Sequence, residues 1–232
     1  IDEDARKKMV SVDPNDIPAV AIVDPELMYS MPKGLTAATG MDALTHAIES
    51  YITPGAWVMS DMFELKAIEM IAQNLKAAVD NGKDVAAREA MSQAQYIAGM
   101  GFSNVGLGIV HSMAHPLGAF YDTPHGVANA LLLPYVMEYN AESPAAPKYI
   151  HIAKAMGVDT TGMSEAEGVK AAIEAVKALS ISINIPQKLH EINVKEEDIP
   201  ALAVAAYNDV CTGGNPRPTS VADIEALYHK AF

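Results

Sequence analysis

The sequence has one cysteine and few basic residues. Cys211 has no second cysteine to pair with, which excludes an internal disulfide framework and fits a reducing cytoplasm. Lysine and arginine number 16 against 29 aspartates and glutamates, for a formal net charge of −13. Because phosphate binding depends on clustered basic side chains, this balance argues against a broad nucleic-acid surface and leaves only a local basic spot at residues 6–8.

The sequence also lacks a long apolar run. The longest apolar stretches are short, and one of them is interrupted by Pro134, whereas a membrane-spanning helix needs about 20 apolar residues. No charged segment followed by an apolar one opens the chain in the manner of a secretory signal. We therefore expect a cytoplasmic protein with no membrane partner.

The composition is that of a globular protein with a sizeable core, since 50% of the residues are hydrophobic and 19% are charged. Two short runs rich in valine and isoleucine, residues 7–13 and 18–24, predict β-strands that end at Asp-Pro turns. Two strands do not form a stable sheet alone. We therefore expect residues 1–30 to be the remnant of another domain, followed by a mainly α, multi-helical domain at residues 31–232.

Helical periodicity dominates the chain after the predicted strands. Asp61 with Glu64, and Ser164 with Glu167, have the spacing of capping boxes, in which two side chains bind the free backbone N–H groups that open a helix. The pattern predicts helices over residues 39–53, 61–80, 84–104, 107–119, 125–140, 147–156, 164–181, 197–208 and 220–231.

An aspartate and a histidine lie four residues apart in "GMDALTHAIESYITP", residues 40–54. At this spacing Asp42 and His46 project from the same side of a helix, where a carboxylate and an imidazole can bind one cation. The pair alone is weak evidence, because a hydrogen bond on the helix surface or an exposed polar stripe is a commoner explanation.

Three more histidines lie within 15 positions in "GLGIVHSMAHPLGAFYDTPHGVANALLLP", although the chain has only seven. His111 and His115 are again four apart, in a helix of small and apolar residues where an unpaired imidazole is costly to bury. A turn at Gly118 and Pro124 allows His125 to begin the next helix and point back toward His111. Hydrogen-bonded core histidines remain the alternative interpretation.

These two segments and a third, "CTGGNPRP", resemble the iron-containing (group III) alcohol dehydrogenases, and most of all their lactaldehyde reductase (propanediol oxidoreductase) branch. The resemblance runs along almost the whole chain. It implies a helical metal-binding domain of the dehydroquinate synthase-like C-terminal type, preceded by a short β remnant of an α/β nucleotide-binding domain. The Gly-Gly-Gly-Ser loop with which that family binds pyrophosphate is missing, so we expect this chain to be the C-terminal catalytic half of a longer enzyme.

The resemblance also assigns roles to single residues. His115 matches a family histidine beside the active site that does not bind the metal, which implies a role in proton relay or in placing nicotinamide and substrate. Lys8 matches a lysine that approaches the cofactor ribose, and Phe102 and Cys211 match residues near the substrate pocket. The implied metal ligands are Asp42, His46, His111 and His125.

The implied activity is an NAD-linked, metal-dependent alcohol dehydrogenase or aldehyde reductase of the lactaldehyde to 1,2-propanediol type. Iron(II) is the family expectation, although one carboxylate and three imidazoles also suit zinc. The partners are then a small alcohol or aldehyde and, in the full-length enzyme, a second copy of the protein. Two alternatives are a helical structural domain without catalysis and a metal-dependent hydrolase. The hydrolase lacks support, because the sequence has neither an adjacent His-Asp pair nor a basic cluster near the site.

Overall fold

The computed structural model describes residues 1–2, 4, 7–11 and 13–232. Over these residues the chain is mainly α-helical, as the sequence predicts. Short 3₁₀ turns connect several of the helices. The α-helices are α1 Lys33–Ile52, α2 Val58–Asp80, α3 Val85–Val105, α4 Ile109–Tyr121, α5 His125–Asn140, α6 Tyr149–Ala155, α7 Glu165–Ser182, α8 Ile199–Tyr207 and α9 Val221–Ala231. None of the helices in the described part of the chain is long and apolar enough to cross a membrane.

The start of α1 is the largest boundary error, because the helix begins six residues before the predicted position. Its early turns contain glycine and threonine, which have low helix propensity. Packing explains their presence. A Cβ atom at Gly40 would lie 2.2 Å from Leu75 Cδ1, so glycine lets α1 and α2 approach closely.

One of the two predicted capping boxes is confirmed. Ser164 Oγ accepts the Glu167 N–H at 3.3 Å, and Glu167 Oε2 accepts the Ser164 N–H at 2.8 Å. The box at Asp61 and Glu64 is wrong, because α2 begins three residues earlier, where Ser60 Oγ accepts the Trp57 N–H at 3.0 Å.

The predicted strands are also wrong within the described residues. Residues 18–24 are irregular, and the segment 7–13 has only an isolated bridge between Lys7 and Asp2, with Val12 outside the described residues. Val20 and Ile22 are 77% and 88% exposed. A strand needs a neighbour to bind its backbone groups, and apart from the Lys7–Asp2 bridge the described residues provide none. Arg6, part of the predicted basic spot, lies outside the described residues.

Helix α1 is central to the core, where it packs against α2, α3 and α5. The contact with α5 is very close. A Cβ atom at Gly126 would lie 2.4 Å from the Ala38 carbonyl oxygen, so a glycine is required at this crossing. Helix α4 packs against α5 and α8. This arrangement brings side chains from α1, α4 and α5 to one place.

Candidate metal centre

Four polar side chains from three helices meet where α1, α4 and α5 come together. Asp42 and His46 lie one turn apart on α1, His111 lies in the first turn of α4, and His125 is the first residue of α5. Asp42 Oδ1 lies 3.7 Å from His111 Nε2, 3.7 Å from His125 Nε2 and 4.0 Å from His46 Nδ1. The Nε2 atoms of His46 and His111 are 3.0 Å apart. Ligand atoms of Asp42, His111 and His125 all lie within 4.8 Å of one another, and His46 joins this group through its contact with His111.

The spacing of these atoms suits a divalent cation. An ion bonded at about 2.1 Å keeps neighbouring ligand atoms roughly 3.0–3.4 Å apart, depending on coordination number. The separations in the cluster are equal to this range or slightly wider. One carboxylate with three imidazoles is a donor set that first-row divalent metals bind well.

The ionisation of the cluster also favours a cation. Burial lowers the pKa of His46 to about 3, with the neighbouring His111 acting in the same direction, and burial lowers the pKa of His125 to about 4. Both imidazoles are therefore neutral at pH 7, with lone pairs available. Burial alone would raise the pKa of Asp42, but the nearby imidazoles of His111, His46 and His125 hold it well below its usual range.

Glu49 fixes the orientation of His111 and is the main residue of the centre that sequence reasoning missed. Its Oε2 lies 2.6 Å from His111 Nδ1, which leaves Nε2 facing the cluster. Burial would lower the pKa of His111, but Asp42 and Glu49 together raise it to about 9. Two carboxylates thus favour positive charge at this imidazole, from a proton or from a metal. Its position seven residues after Asp42 on the same helix face is the only sequence signal for Glu49.

Glu49 also completes the start of α4. The residue before this helix is Gly108, which has no side chain to cap it. Glu49 instead accepts the N–H groups of Val110 at 2.7 Å and of His111 at 3.4 Å. A helix N-terminus stabilises a carboxylate. One buried side chain of α1 therefore positions both the backbone and the imidazole of His111.

Asn129 is a second missed residue, fully buried one turn after His125. Its Nδ2 atom donates to Asp42 Oδ1 at 2.6 Å and lies 3.1 Å from His125 Nε2. Its Oδ1 atom has no hydrogen-bond partner among the described residues. Asn129 therefore ties Asp42 to α5 and holds the two candidate ligands at a constant separation.

His115 lies beside this cluster and is bound to a partner that the sequence did not reveal. The His115 and His125 rings stack at a centroid distance of 5.4 Å and an interplanar angle of 19°. His115 Nδ1 lies 2.7 Å from Asp209 Oδ2, in the loop after α8, and Cys211 is in the same loop. No spacing rule connects residues 94 positions apart, so only the fold brings Asp209 to His115.

The remaining predicted residues surround the centre. The Phe102 ring stacks on His46 at a centroid distance of 4.4 Å, and both line a cavity of about 460 Å³. Lys8 lies close enough to the centre to interact electrostatically with Asp42 and His125. Burial lowers the pKa of its ammonium group, and the nearby Asp42, Asp209 and Cys211 oppose that shift.

Comparison with known proteins places this centre in a family. The model of the Fe-containing alcohol dehydrogenase family, C-terminal part, matches residues 36–232. The chain is 59% identical over its whole length to lactaldehyde reductase of Escherichia coli K12 and spans 60% of that protein. It is 46% identical over 99% of its length to 1,3-propanediol dehydrogenase of Klebsiella pneumoniae, of which it spans 59%.

A solved structure agrees with these relatives. The crystal structure of a 1,3-propanediol oxidoreductase superposes on 94% of this chain and 56% of its own, with a TM-score of 0.92 and 47% identity. The chain therefore spans well under two thirds of the proteins it matches. It belongs to the iron-containing alcohol dehydrogenase family.

Proposed function

We propose that this chain is the metal-binding catalytic half of an NAD-linked alcohol dehydrogenase or aldehyde reductase. The observation that carries the proposal is the convergence of one carboxylate and three imidazoles from three helices. Asp42 Oδ1 lies 3.7 Å from Nε2 of both His111 and His125, and His46 Nε2 lies 3.0 Å from His111 Nε2. Residues 31–232 form the metal-binding domain in this proposal, and residues 1–30 belong to the nucleotide-binding part of the longer enzyme. As expected for the full-length enzyme, we also propose a homodimer in the cytoplasm.

In this proposal Asp42, His46, His111 and His125 hold one divalent ion, iron(II) by family and zinc as the competitor. Such an ion would supply Lewis acidity toward an alcohol or aldehyde oxygen, with NAD⁺ as the hydride acceptor and NADH as the hydride donor. Glu49 and Asn129 keep the ligands in position before the ion arrives. That pre-organisation reduces the rearrangement that binding requires.

His115 has a position from which it could carry a proton to or from a substrate at the metal cluster. Asp209 accepts a hydrogen bond from its Nδ1 atom, which orients the ring. The stacking of His115 on His125 places the ring at the edge of the metal cluster. Lys8 lies near the same edge, where an ammonium group can bind a ribose hydroxyl.

The cavity beside Asp42 and His46 supports a small substrate. At about 460 Å³ it has the size of a pocket for a small molecule, and Phe102 forms part of its wall. An apolar wall next to a polar centre suits an alcohol or aldehyde with a short carbon chain. Together with the 59% identity to a lactaldehyde reductase, this favours lactaldehyde and 1,2-propanediol as the reactants.

The test is metal content after anaerobic reconstitution with iron(II) and removal of loosely held ions. We expect about one ion per chain in the wild type and none in Asp42→Ala or His125→Ala, with helical content unchanged by circular dichroism. His115→Ala should retain the ion. In the full-length enzyme that variant should also slow NADH-dependent lactaldehyde reduction.

Two results would contradict this assignment. A wild-type chain that binds no ion would favour a helical domain without catalysis, which is the competing interpretation. Loss of the ion in His115→Ala would make His115 a ligand and displace one of the other three histidines.

A further inference from the structure

A second group of potential metal ligands lies next to the first and shares no residue with it. One ligand atom each from His115, Asp209 and Cys211 lies within 4.8 Å of the other two. The side chains of His115 and Asp209 are 7% and 10% exposed, and Cys211 is half-buried. The group therefore combines an imidazole, a carboxylate and a thiol in a sheltered place.

Hydrogen bonds hold these three groups in position. One Asp209 oxygen binds His115 Nδ1 at 2.7 Å, and the other accepts the backbone N–H of Cys211 at 2.9 Å. The next residue anchors the loop to α4, because Thr212 Oγ1 donates to Ser112 Oγ at 2.8 Å. The three donors are thus placed by the fold before any ion is present.

The loop also approaches the start of α4 too closely to move freely. A Cβ atom at Gly214 would lie 2.0 Å from the Leu107 carbonyl oxygen, so the loop backbone rests directly on the segment before α4. A rigid loop limits how far the three ligand atoms can separate. Since all three ligand atoms already lie within 4.8 Å of one another, small side-chain adjustments would bring them to the spacing of a tetrahedral site.

We propose that His115, Asp209 and Cys211 form a second cation site, selective for thiophilic ions such as zinc and cadmium. Thiolate and imidazole donors select zinc-class ions over magnesium and calcium, which prefer oxygen ligands. The first cluster contains no sulfur. The two sites therefore differ in chemistry, and a thiophilic ion distinguishes them better than iron(II) does.

Binding at this site must release protons. The Cys211 thiol loses its proton to solvent as the sulfur bonds to the ion, and any proton shared between His115 and Asp209 is displaced in the same way. Without an ion, burial and the nearby Asp209 and Glu49 raise the pKa of the Cys211 thiol far above its usual range. The cysteine is therefore an unreactive thiol until a cation enters.

Occupancy has a consequence for the neighbouring centre. His115 stacks on His125, so an ion bound to His115 adds positive charge beside the first cluster and immobilises the proposed proton carrier. A zinc-class ion at this site is therefore an inhibitor that acts without displacing the first ion. This inference goes beyond the proposed function, in which His115, Asp209 and Cys211 bind no metal.

Cadmium titration tests the proposal directly, because Cys211 is the chain's only cysteine. A thiolate-to-cadmium absorption band in the ultraviolet therefore reports on this residue. We expect two cadmium ions per wild-type chain, with the band appearing in proportion to one of them. Cys211→Ser should bind one ion and show no band. Asp42→Ala should bind one ion and keep the band. Loss of binding at either site can therefore be detected independently of the other site.

Three further variants exclude simpler explanations. His115→Ala and Asp209→Asn should weaken the band at limiting cadmium by at least tenfold, whereas Lys8→Met should strengthen it, because it removes a nearby positive charge. A wild-type chain without the band overturns the proposal. So does a band that persists unchanged in both His115→Ala and Asp209→Asn, since Cys211 would then bind cadmium alone or between two chains.

Discussion

Two buried glutamates, Glu49 on α1 and Glu64 on α2, are 2% and 0% exposed, yet their surroundings are opposite. Glu49 accepts hydrogen bonds from two backbone N–H groups and contacts the His111 ring nitrogen. Neither oxygen of Glu64 has a hydrogen-bond partner within the described residues. Burial raises the pKa of Glu64 to about 8, although the nearby Ser50 acts to lower it.

The comparison shows that burial alone does not decide how a carboxyl group interacts with its surroundings. A buried charge is retained when donors and positive groups surround it, and otherwise the group takes up a proton. Glu49 lies at the N-terminus of α4, behind a candidate metal ligand that it orients. Glu64 faces the surface of α3 at Gly101, its oxygens have no hydrogen-bond partner among the described residues, and it is neutral over most of the physiological pH range.

The largest effect is expected for Glu49→Ala. Removing one partner of a buried charged network costs about 3–5 kcal/mol of the free energy of unfolding. Loss of a group that orients a ligand typically lowers metal affinity about 10–100-fold. Urea unfolding and iron(II) or zinc titration measure the two effects. Glu64→Gln is the matched control, and an equal loss of metal affinity there would end the distinction between the two glutamates.

Glu64→Gln itself should stabilise the protein in a defined pH range. The ordinary pKa of this carboxyl is 4.5 and the folded value is about 8, so the neutral form stabilises the folded state fully below pH 4.5. That contribution is lost at about 1.4 kcal/mol per pH unit as the pH rises toward 8. Glutamine does not titrate. The variant and the wild type should match at pH 4.5, and the variant should be more stable by up to about 3 kcal/mol at pH 7. Equal stability at both pH values would show that Glu64 is ionised.

Gly101→Ala should disturb Glu64 by contact. The new Cβ atom would lie 1.9 Å from Glu64 Oε1, and the side chain must shift within a packed interior. Overpacking of this kind costs about 1–3 kcal/mol. In the double variant with Glu64→Ala most of that loss should disappear. Chemical denaturation measures these losses in the free energy of unfolding. If the losses of the two single variants instead add up in the double variant, the strain does not come from the contact with Glu64.

The smallest effect is expected for Ser50→Ala. Ser50 Oγ donates to the His46 carbonyl oxygen at 2.5 Å and lowers the pKa of Glu64. Without it the pH at which wild-type stability is lost should move upward, and the free energy of unfolding should change by less than about 1 kcal/mol. An unchanged dependence of stability on pH would mean that Ser50 acts only through its hydrogen bond to the α1 backbone.

The sequence patterns were reliable for helices and unreliable for isolated strands. Helix α5 was predicted with both ends correct, because its periodicity and the preceding Pro124 are local signals. The runs at 7–13 and 18–24 have strand-like composition, but a strand depends on a partner elsewhere. The Asp61 and Glu64 pattern failed for a similar reason, since Asp61 instead binds Lys148 at 3.0 Å and Glu64 is buried.

The sequence by itself determined which helices form and which residue types are available to bind a cation, because both follow from spacing along the chain. Only the tertiary structure decided which of them meet. Glu49 reaches His111 across 62 positions, and Asp209 reaches His115 across 94. These pairs depend on how α1, α4 and the loop after α8 pack, and packing is a property of the whole folded chain.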